Sequence, residues 1–233
     1  MSDDLVGLGK VAESLEKLTR EPRELFLRLL GPVADATGEL IADRINATRS
    51  KNLERLIQET FRRLRESRVN PQPVELKILV PILGYSSVET DDDLVSKWAG
   101  LLASAASGER LHPSYANILA ELTRGEARLL NLVGNWAAEL TAVASERKDK
   151  VPGHSCPKES LLERTGFNGH KLLQETGLSK GELSMAMFDL ETRHGLVHFY
   201  GQKWEPNLDE LWQMRLTPLG EDFIRVCRGP KKF

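Results

Sequence analysis

The sequence contains little cysteine and few aromatic residues. Among its 233 residues there are two cysteines, Cys156 and Cys227, and 6% of the residues are aromatic. Two cysteines are too few for a disulfide framework or a cysteine-based zinc site, and they suit a reducing compartment. We therefore expect a cytoplasmic protein without a bound metal.

Long apolar runs and a strong net charge are also absent. The chain has no run of about 18 apolar residues, the length that spans a bilayer. It begins M-S-D-D, without the positive charge of a secretory signal. Its 32 basic and 34 acidic residues give a formal net charge of −2, so the basic signature of a nucleic-acid-binding chain is missing. We expect no transmembrane segment.

Catalytic motifs are missing as well. The sequence has no glycine-rich phosphate loop after a strand, no H-E-x-x-H and no G-x-S-x-G. Its densest carboxylates, Asp91 to Asp93, are consecutive, and consecutive residues on a helix point in different directions, so they cannot pair as a general acid and base. We expect no catalytic residues, no cofactor and no enzymatic activity.

Helix signals dominate the middle of the chain. Asp91, Asp92 and Asp93 lie at the start of an apolar pattern, where carboxylates cap free N–H groups, and Trp98 recurs at core spacing within that pattern. Thr123 and Glu126 have the S/T-x-x-E spacing of a capping box, so another helix begins near Arg124. These residues predict helix caps and a core, and no reactive site.

The N-terminal half is predicted to be one all-helical domain over residues 1–118. Apolar residues at helical spacing give helices over 23–30, 34–67 and 74–83, with proline or glycine in the breaks between them.

A basic stripe lies on the longest of these predicted helices. The stripe consists of Arg44, Lys51, Arg55 and Arg62. Its members fall within about 40° of one another, opposite the apolar side, and a stripe of this kind can follow phosphates. However, Glu59 and Glu66 lie close enough to pair with its arginines, and no aromatic residues interleave for base stacking. A salt-bridged, solvated face or a dimer seam is therefore favoured, and nucleic-acid binding by the stripe is the alternative.

Two polar residues of the same helix, Arg49 and Asn52, lie nearer its apolar side. Buried polar side chains form hydrogen bonds, so we expect both to fix the packing of the helix. A ligand-binding role for them is the less favoured interpretation.

Between Ala144 and Ser160 the sequence predicts a loop. S-E-R-K-D-K is a mixed charge cluster, and V-P-G-H-S-C-P adds prolines and a glycine. His154 and Cys156 have H-x-C spacing there, but the second pair of ligands that a zinc site needs is missing. An exposed loop thiol is the better interpretation.

The rest of the chain predicts a winged helix-turn-helix-like domain over residues 119–233. Ser179 and Glu182 form another capping box, and Gly195 caps the end of the helix that they open. The fold class is therefore mainly α, with a helical N-terminal half and a C-terminal winged helix-turn-helix-like domain that carries a small β-hairpin. Helices are predicted over 124–144, 169–176 and 179–194, strands over 196–200 and 211–216, a wing tip over 201–207 and a last helix from 217.

The third helix of this domain holds the candidate binding face. Its core side has Leu183, Ala186, Met187 and Leu190. The opposite side has Met185, Phe188 and Thr192. Acidic residues outnumber basic ones on this helix, so its apolar face suits a protein groove better than a polyanion. We expect a protein partner or a homodimer. A DNA-binding winged-helix regulator is the alternative function.

Several segments together resemble one known family. They are L-x-x-x-W-A-x-L-L-A-x-A from Leu94, H-P-S-Y-x-x-I-L from His112, L-T-x-x-E-A from Leu122, G-E-L-I-A-D-R-I from Gly38 and L-T-P-L-G-E-D-F from Leu216. The chain resembles the abortive-infection alpha family over roughly residues 30 to 228. The resemblance implies a bacterial cytoplasmic protein of phage defence, and it brings no catalytic residues with it.

Overall fold

The computed structural model describes residues 20–30, 47–150, 167–200 and 211–230. Over these residues the protein is mainly helical, with a small antiparallel sheet. The helices are α1 (Arg20–Leu30), α2 (Ala47–Glu66), α3 (Leu76–Ser86), α4 (Asp92–Ala106), α5 (Ser114–Glu121), α6 (Arg124–Lys150), α7 (Gly169–Thr176), α8 (Lys180–Phe188) and α9 (Pro218–Arg228). The strands are β1 (Phe167–Asn168), β2 (Val197–Tyr200) and β3 (Leu211–Leu216).

The described residues fall into two units. Unit 1 contains the residues up to Glu121 together with those from Arg225 onwards, and unit 2 contains the residues in between. Helix α9 therefore begins in unit 2, and its last turn belongs to unit 1. The domain limits predicted from the sequence, 1–118 and 119–233, stay a prediction, because a division by contacts does not test whether either part folds alone.

In unit 1, α4 is the central helix. The side chain of Asp91 accepts hydrogen bonds from the backbone N–H groups of Asp93 (2.9 Å) and Leu94 (3.2 Å), which caps the helix. Trp98 is 1% exposed. Nearly every side chain from Leu94 to Ala106 is buried, since α4 packs on α2, α3 and α5. The acid cap and the core position of Trp98 are confirmed.

The helices predicted over 23–30 and 74–83 correspond to α1 and α3. Of the long helix predicted over 34–67, the structure describes α2 from Ala47 to Glu66, and residues 34–46 lie outside the described part.

Helix α2 ends in a Schellman motif. The backbone N–H of Val69 donates to the carbonyl oxygen of Leu64 (3.0 Å), and that of Arg68 donates to Arg65 (3.1 Å). Arg68 itself adopts a φ of 56°, the left-handed conformation that this motif requires. Glycine usually takes this position, since a side chain there is strained.

In unit 2, α6 begins with the predicted capping box. The backbone N–H of Thr123 donates to Glu126 Oε2 (2.5 Å), and that of Glu126 donates to Thr123 Oγ1 (3.3 Å). Both bonds satisfy N–H groups that the first helical turn leaves free. The helix start predicted near Arg124 is confirmed.

The predicted end of this helix was wrong. Helix α6 continues to Lys150, although the sequence predicted a loop from Ala144. Glutamate, arginine and lysine are good helix formers, and the sequence has no helix breaker before Pro152, so a mixed charge cluster alone does not end a helix. The rest of the predicted loop, with His154 and Cys156, lies outside the described residues.

The small sheet has the strand order β1-β3-β2. Strands β2 and β3 form the predicted antiparallel hairpin, in which His198 lies opposite Arg215 and Phe199 opposite Met214. Phe199 and Met214 are buried, whereas His198 and Arg215 are exposed, as the period of two along a strand requires. The predicted wing tip lies outside the described residues. The two-residue strand β1, which pairs with the start of β3, was not predicted.

Candidate interaction surface

Helix α8 presents the candidate face, and its start is fixed by a capping box. The backbone N–H of Ser179 donates to Glu182 Oε2 (2.8 Å), and that of Glu182 donates to Ser179 Oγ (3.3 Å). The hydrogen bond from the backbone N–H of Ser179, followed by an interaction with the Ser179 side chain, lowers the pKa of Glu182. The carboxylate therefore stays ionised at neutral pH beside the face.

The two sides of α8 differ sharply in exposure. Leu183 and Ala186 are buried in the core of unit 2, and Leu190 follows them just beyond the helix. Met187, expected on the same side, is half-buried. On the opposite side Met185 is 61% exposed and Phe188 is 38% exposed, although both are large and apolar.

Thr192 completes this surface, which we call the Met185 face (Met185, Phe188 and Thr192). It is exposed, and its hydroxyl donates to the carbonyl oxygen of Phe188 (2.7 Å). Thr192 lies in a π-helical turn, Asp189–Arg193, that continues from α8. The backbone N–H of His194 donates to the carbonyl of Asp189 (2.9 Å) there, five residues earlier.

The π-helical turn was not predicted, because the sequence indicated one α-helix up to His194. Turns of this kind occur mostly as single insertions within α-helices, often at functional sites. Gly195, with a φ of 63°, ends the segment as predicted. The sequence carries no recognisable signal for the wider turn.

Glu191, within the π-helical turn, connects the turn to the hairpin. Glu191 Oε1 accepts a hydrogen bond from the backbone N–H of Phe199 (3.3 Å), and it lies 3.8 Å from Nδ1 of His198. Glu191 is thus held by β2. Glu182 and Asp189 carry the other carboxylates of this helical segment.

The described members of the basic stripe lie on α2, and its arginines there form ion pairs with carboxylates of the same protein. Arg55 forms an ion pair with Asp92. Arg62 forms ion pairs with Glu59 (2.6 Å) and Glu66 (2.5 Å), as the helical spacing predicted. The hydrogen bond from Arg62 lowers the pKa of Glu59 and, reciprocally, raises the pKa of Arg62.

The other two members of the stripe are Lys51 and Arg44. Lys51 is exposed on α2, and Arg44 lies outside the described residues. Among the described members, the arginines are therefore already engaged by carboxylates of the protein itself.

Of the two polar residues expected to fix packing, Asn52 is half-buried and bonds across unit 1. Its Nδ2 donates to the carbonyl oxygen of Ser87 (2.9 Å), which ties α2 to the end of α3. Arg49 lies in the first turn of α2, and its side chain is outside the described part of the structure.

The buried ionisable groups of unit 1 are poorly suited to chemistry. Burial raises the pKa of the Cys227 thiol to about 12, so the thiolate is scarce at neutral pH. Burial also lowers the pKa of Lys97, which is 7% exposed. Among the described residues, no group of three or more histidines, cysteines, aspartates or glutamates could hold a metal ion.

One set of contacts joins segments that are far apart in the sequence. Side chains of α2, of α4 and of Ser67, which directly follows α2, donate hydrogen bonds to backbone carbonyls at and just beyond the end of α9. They are Ser104 Oγ to Val226 (2.9 Å), Arg63 Nη1 to Arg228 (2.7 Å) and Ser67 Oγ to Pro230 (2.8 Å). The partners are far apart in the sequence, and no motif links them.

These observations define a class, a mainly helical protein with a small antiparallel hairpin towards its C-terminal end. No helix among the described residues is long and apolar enough to cross a membrane. The family model for abortive infection alpha matches residues 46–227, which is most of the chain. The chain therefore belongs to the abortive infection alpha family, and the resemblance found in the sequence is confirmed. Comparison with curated proteins and with solved structures gives no match.

Proposed function

We propose that this protein is a non-enzymatic interaction protein of bacterial phage defence, acting through protein–protein contacts of the Met185 face. Membership in the abortive infection alpha family points to the defence role. The exposure of Met185 and Phe188, at 61% and 38%, is the observation that supports the contact surface. Large apolar side chains exposed together are typical of protein–protein interfaces.

The order of elements in unit 2 supports the kind of domain proposed. Helices α6, α7 and α8 are followed by the hairpin of β2 and β3, which is the order of a winged helix-turn-helix domain. In that arrangement α8 is the recognition helix, and its outward side is the Met185 face.

The charges beside the face favour a protein over a polyanion. Glu182 is ionised at neutral pH, and Asp189 directly follows Phe188 in the chain. Carboxylates beside the face repel phosphates, whereas burial of Met and Phe side chains in an apolar groove is favourable.

The non-enzymatic role is supported by the structural roles of four ionisable side chains. Asp91 and Glu126 cap helices, Glu59 is held between two arginines, and the Cys227 thiol is buried and protonated. Reactive groups usually stand in clefts with pKa values shifted towards neutrality. The pKa of Glu59 is lowered and the pKa of Cys227 is raised, so both values are shifted away from neutrality.

The test compares two charge substitutions on exposed apolar residues of unit 2. Met185→Asp places a charge on the proposed surface, whereas Leu219→Asp changes a residue of α9 that is 37% exposed. Tagged proteins are recovered from infected and uninfected cells, with nuclease treatment of half of each sample, and protection against phage is measured by plaque counts. We expect Met185→Asp to lose its protein partner and its protection, and Leu219→Asp to keep both. Equal behaviour of the two variants would contradict the proposal.

The alternative function, a DNA-binding winged-helix regulator, has one observation in its favour. His198 and Arg215 lie opposite each other on the exposed side of the hairpin, where a wing would meet phosphates. A gel shift over a range of salt concentrations tests it, since phosphate contacts weaken steeply with salt. A salt-dependent shift that Arg215→Ala weakens and Met185→Asp leaves unchanged would favour the regulator.

A further inference from the structure

Unit 1 contains a slot that receives the last turn of α9. The slot is formed by Arg63 of α2 and Ser67, which directly follows α2, with Gly100 and Ser104 of α4. The segment that fills it, Arg225–Pro230, is called the strap here. Each hydroxyl or guanidinium of the slot donates to a backbone carbonyl of the strap, at 2.7 to 2.9 Å.

The acceptors of these hydrogen bonds are backbone carbonyl oxygens of the strap and not its side chains. The last carbonyls of an α-helix have no partner within the helix, so they accept bonds from outside. A guanidinium near them also complements the negative end of the helix dipole. The slot is therefore a receptor for a helix C-terminus, and its present occupant is a segment of the same chain.

Gly100 allows the strap to approach closely. A Cβ atom at this position would overlap the carbonyl oxygen of Cys227. Beneath the slot the strap buries two apolar side chains, those of Val226 and Cys227. At its near end Arg225 forms an ion pair with Glu109 that is partly exposed, a kind of contact that contributes little.

We propose that the strap is a releasable closure of unit 1, which detaches locally and exposes the slot while the rest of the unit stays folded. Few apolar side chains hold the strap, and a released segment recovers the conformational entropy that docking removes. Segments of this kind open locally, at a smaller cost than unfolding of the whole unit. The slot lies in unit 1, so release of the strap is distinct from binding at the Met185 face in unit 2.

Cys227 reports on the strap directly. It is buried in the docked segment, and with Cys156→Ser it is the chain's remaining thiol. Its rate of labelling by a thiol reagent is measured in the full-length Cys156→Ser protein at low urea concentrations. Release of the strap predicts labelling that hardly depends on urea below the unfolding transition. Labelling that rises with urea in step with unfolding of the helices would overturn the proposal.

A glycine pair provides the matched variants. Gly100→Ala crowds the carbonyl of Cys227, whereas a Cβ at Gly84 of α3 meets nothing within 4 Å. Both changes improve helix propensity alike, so their difference reports the slot. We expect the thiol reagent to label Cys227 at least about tenfold faster in the Gly100→Ala protein than in the Gly84→Ala protein. Both proteins are expected to retain their helix content. Equal rates in the two variants would show that the slot does not hold the strap as described, and would overturn the proposal.

Discussion

Arg63 and Arg228 lie 165 positions apart, yet Nη1 of Arg63 donates a hydrogen bond to the carbonyl oxygen of Arg228 at 2.7 Å. The same guanidinium donates to Oγ of Ser96 (2.6 Å), and its Nε donates to Oε1 of Glu59 (3.0 Å). One side chain of α2 therefore connects its own helix, α4 and the end of α9. We therefore expect Arg63 to contribute to the stability of unit 1.

Replacing Arg63 by methionine is expected to lower the free energy of unfolding by about 2 kcal/mol. The change keeps the apolar stem but removes the guanidinium from the carbonyl of Arg228, and it leaves the carboxylate of Glu59 with one of its two arginine partners, Arg62. The control is Arg65→Met, an exposed residue of the same helix, with an effect within about 0.5 kcal/mol. Urea unfolding followed by circular dichroism measures both. Similar losses in the two variants would mean that the contacts of Arg63 are unimportant.

The buried thiol of Cys227 predicts a dependence of stability on alkaline pH. Its pKa is about 12 in the folded protein and 9.0 for an ordinary cysteine. Above the lower value the unfolded chain loses a proton that the folded chain keeps, so the thiol's contribution to stability declines as the pH rises. Between about pH 8 and about pH 10 the decline is on the order of 1 kcal/mol.

The comparison is made with Cys227→Ala, measured by urea unfolding at each pH. The wild-type protein is expected to lose more stability than this variant over the same interval. The lowered pKa of Lys97 acts in the opposite direction, but Lys97 is present in both proteins, so its effect largely cancels. Parallel pH profiles would contradict the burial of a protonated thiol.

The left-handed conformation of Arg68 predicts a stabilising substitution. Arg68→Gly removes the clash that a side chain suffers at a φ of 56°, and the free energy of unfolding is expected to rise by about 1 kcal/mol. Arg65→Gly, within the same helix, is the control and is expected to lower it by about 1 kcal/mol. Thermal unfolding of the two variants should shift the midpoint in opposite directions. A lower midpoint for Arg68→Gly would refute the Schellman ending of α2.

Local hydrogen-bond chemistry accounts for what the sequence predicted well. The caps at Asp91, Thr123 and Ser179 each involve residues within three positions, and so they are visible in a short window. The spacing of Leu183 and Ala186 also indicated that Met185 and Phe188 face away from the core, and their exposure agrees with that spacing. Whether that face binds a partner stays a prediction.

What the sequence did not reveal depends on distant or subtle interactions. The bond from Arg63 to Arg228 joins segments that no local pattern pairs, and strand β1 exists only because Phe167 lies beside Trp212. The π-helical turn after α8 uses the same residue types as an α-helix. The charged end of α6 resembled a loop by composition, although its residues are good helix formers.

The capping box of α8 predicts how firmly the Met185 face is held. Ser179→Ala removes the acceptor for the N–H of Glu182, and the stability of the protein is expected to fall by about 1 kcal/mol. Ser184→Ala is the control, because the hydroxyl of Ser184 donates to the carbonyl of Lys180 (3.1 Å) within the helix, and alanine is the better helix former there. Its effect should be neutral or slightly stabilising. Hydrogen exchange of the amides of α8 provides the site-specific measurement, with faster exchange expected in Ser179→Ala alone. Unchanged exchange in that variant would show that the box does not stabilise the helix that carries the face.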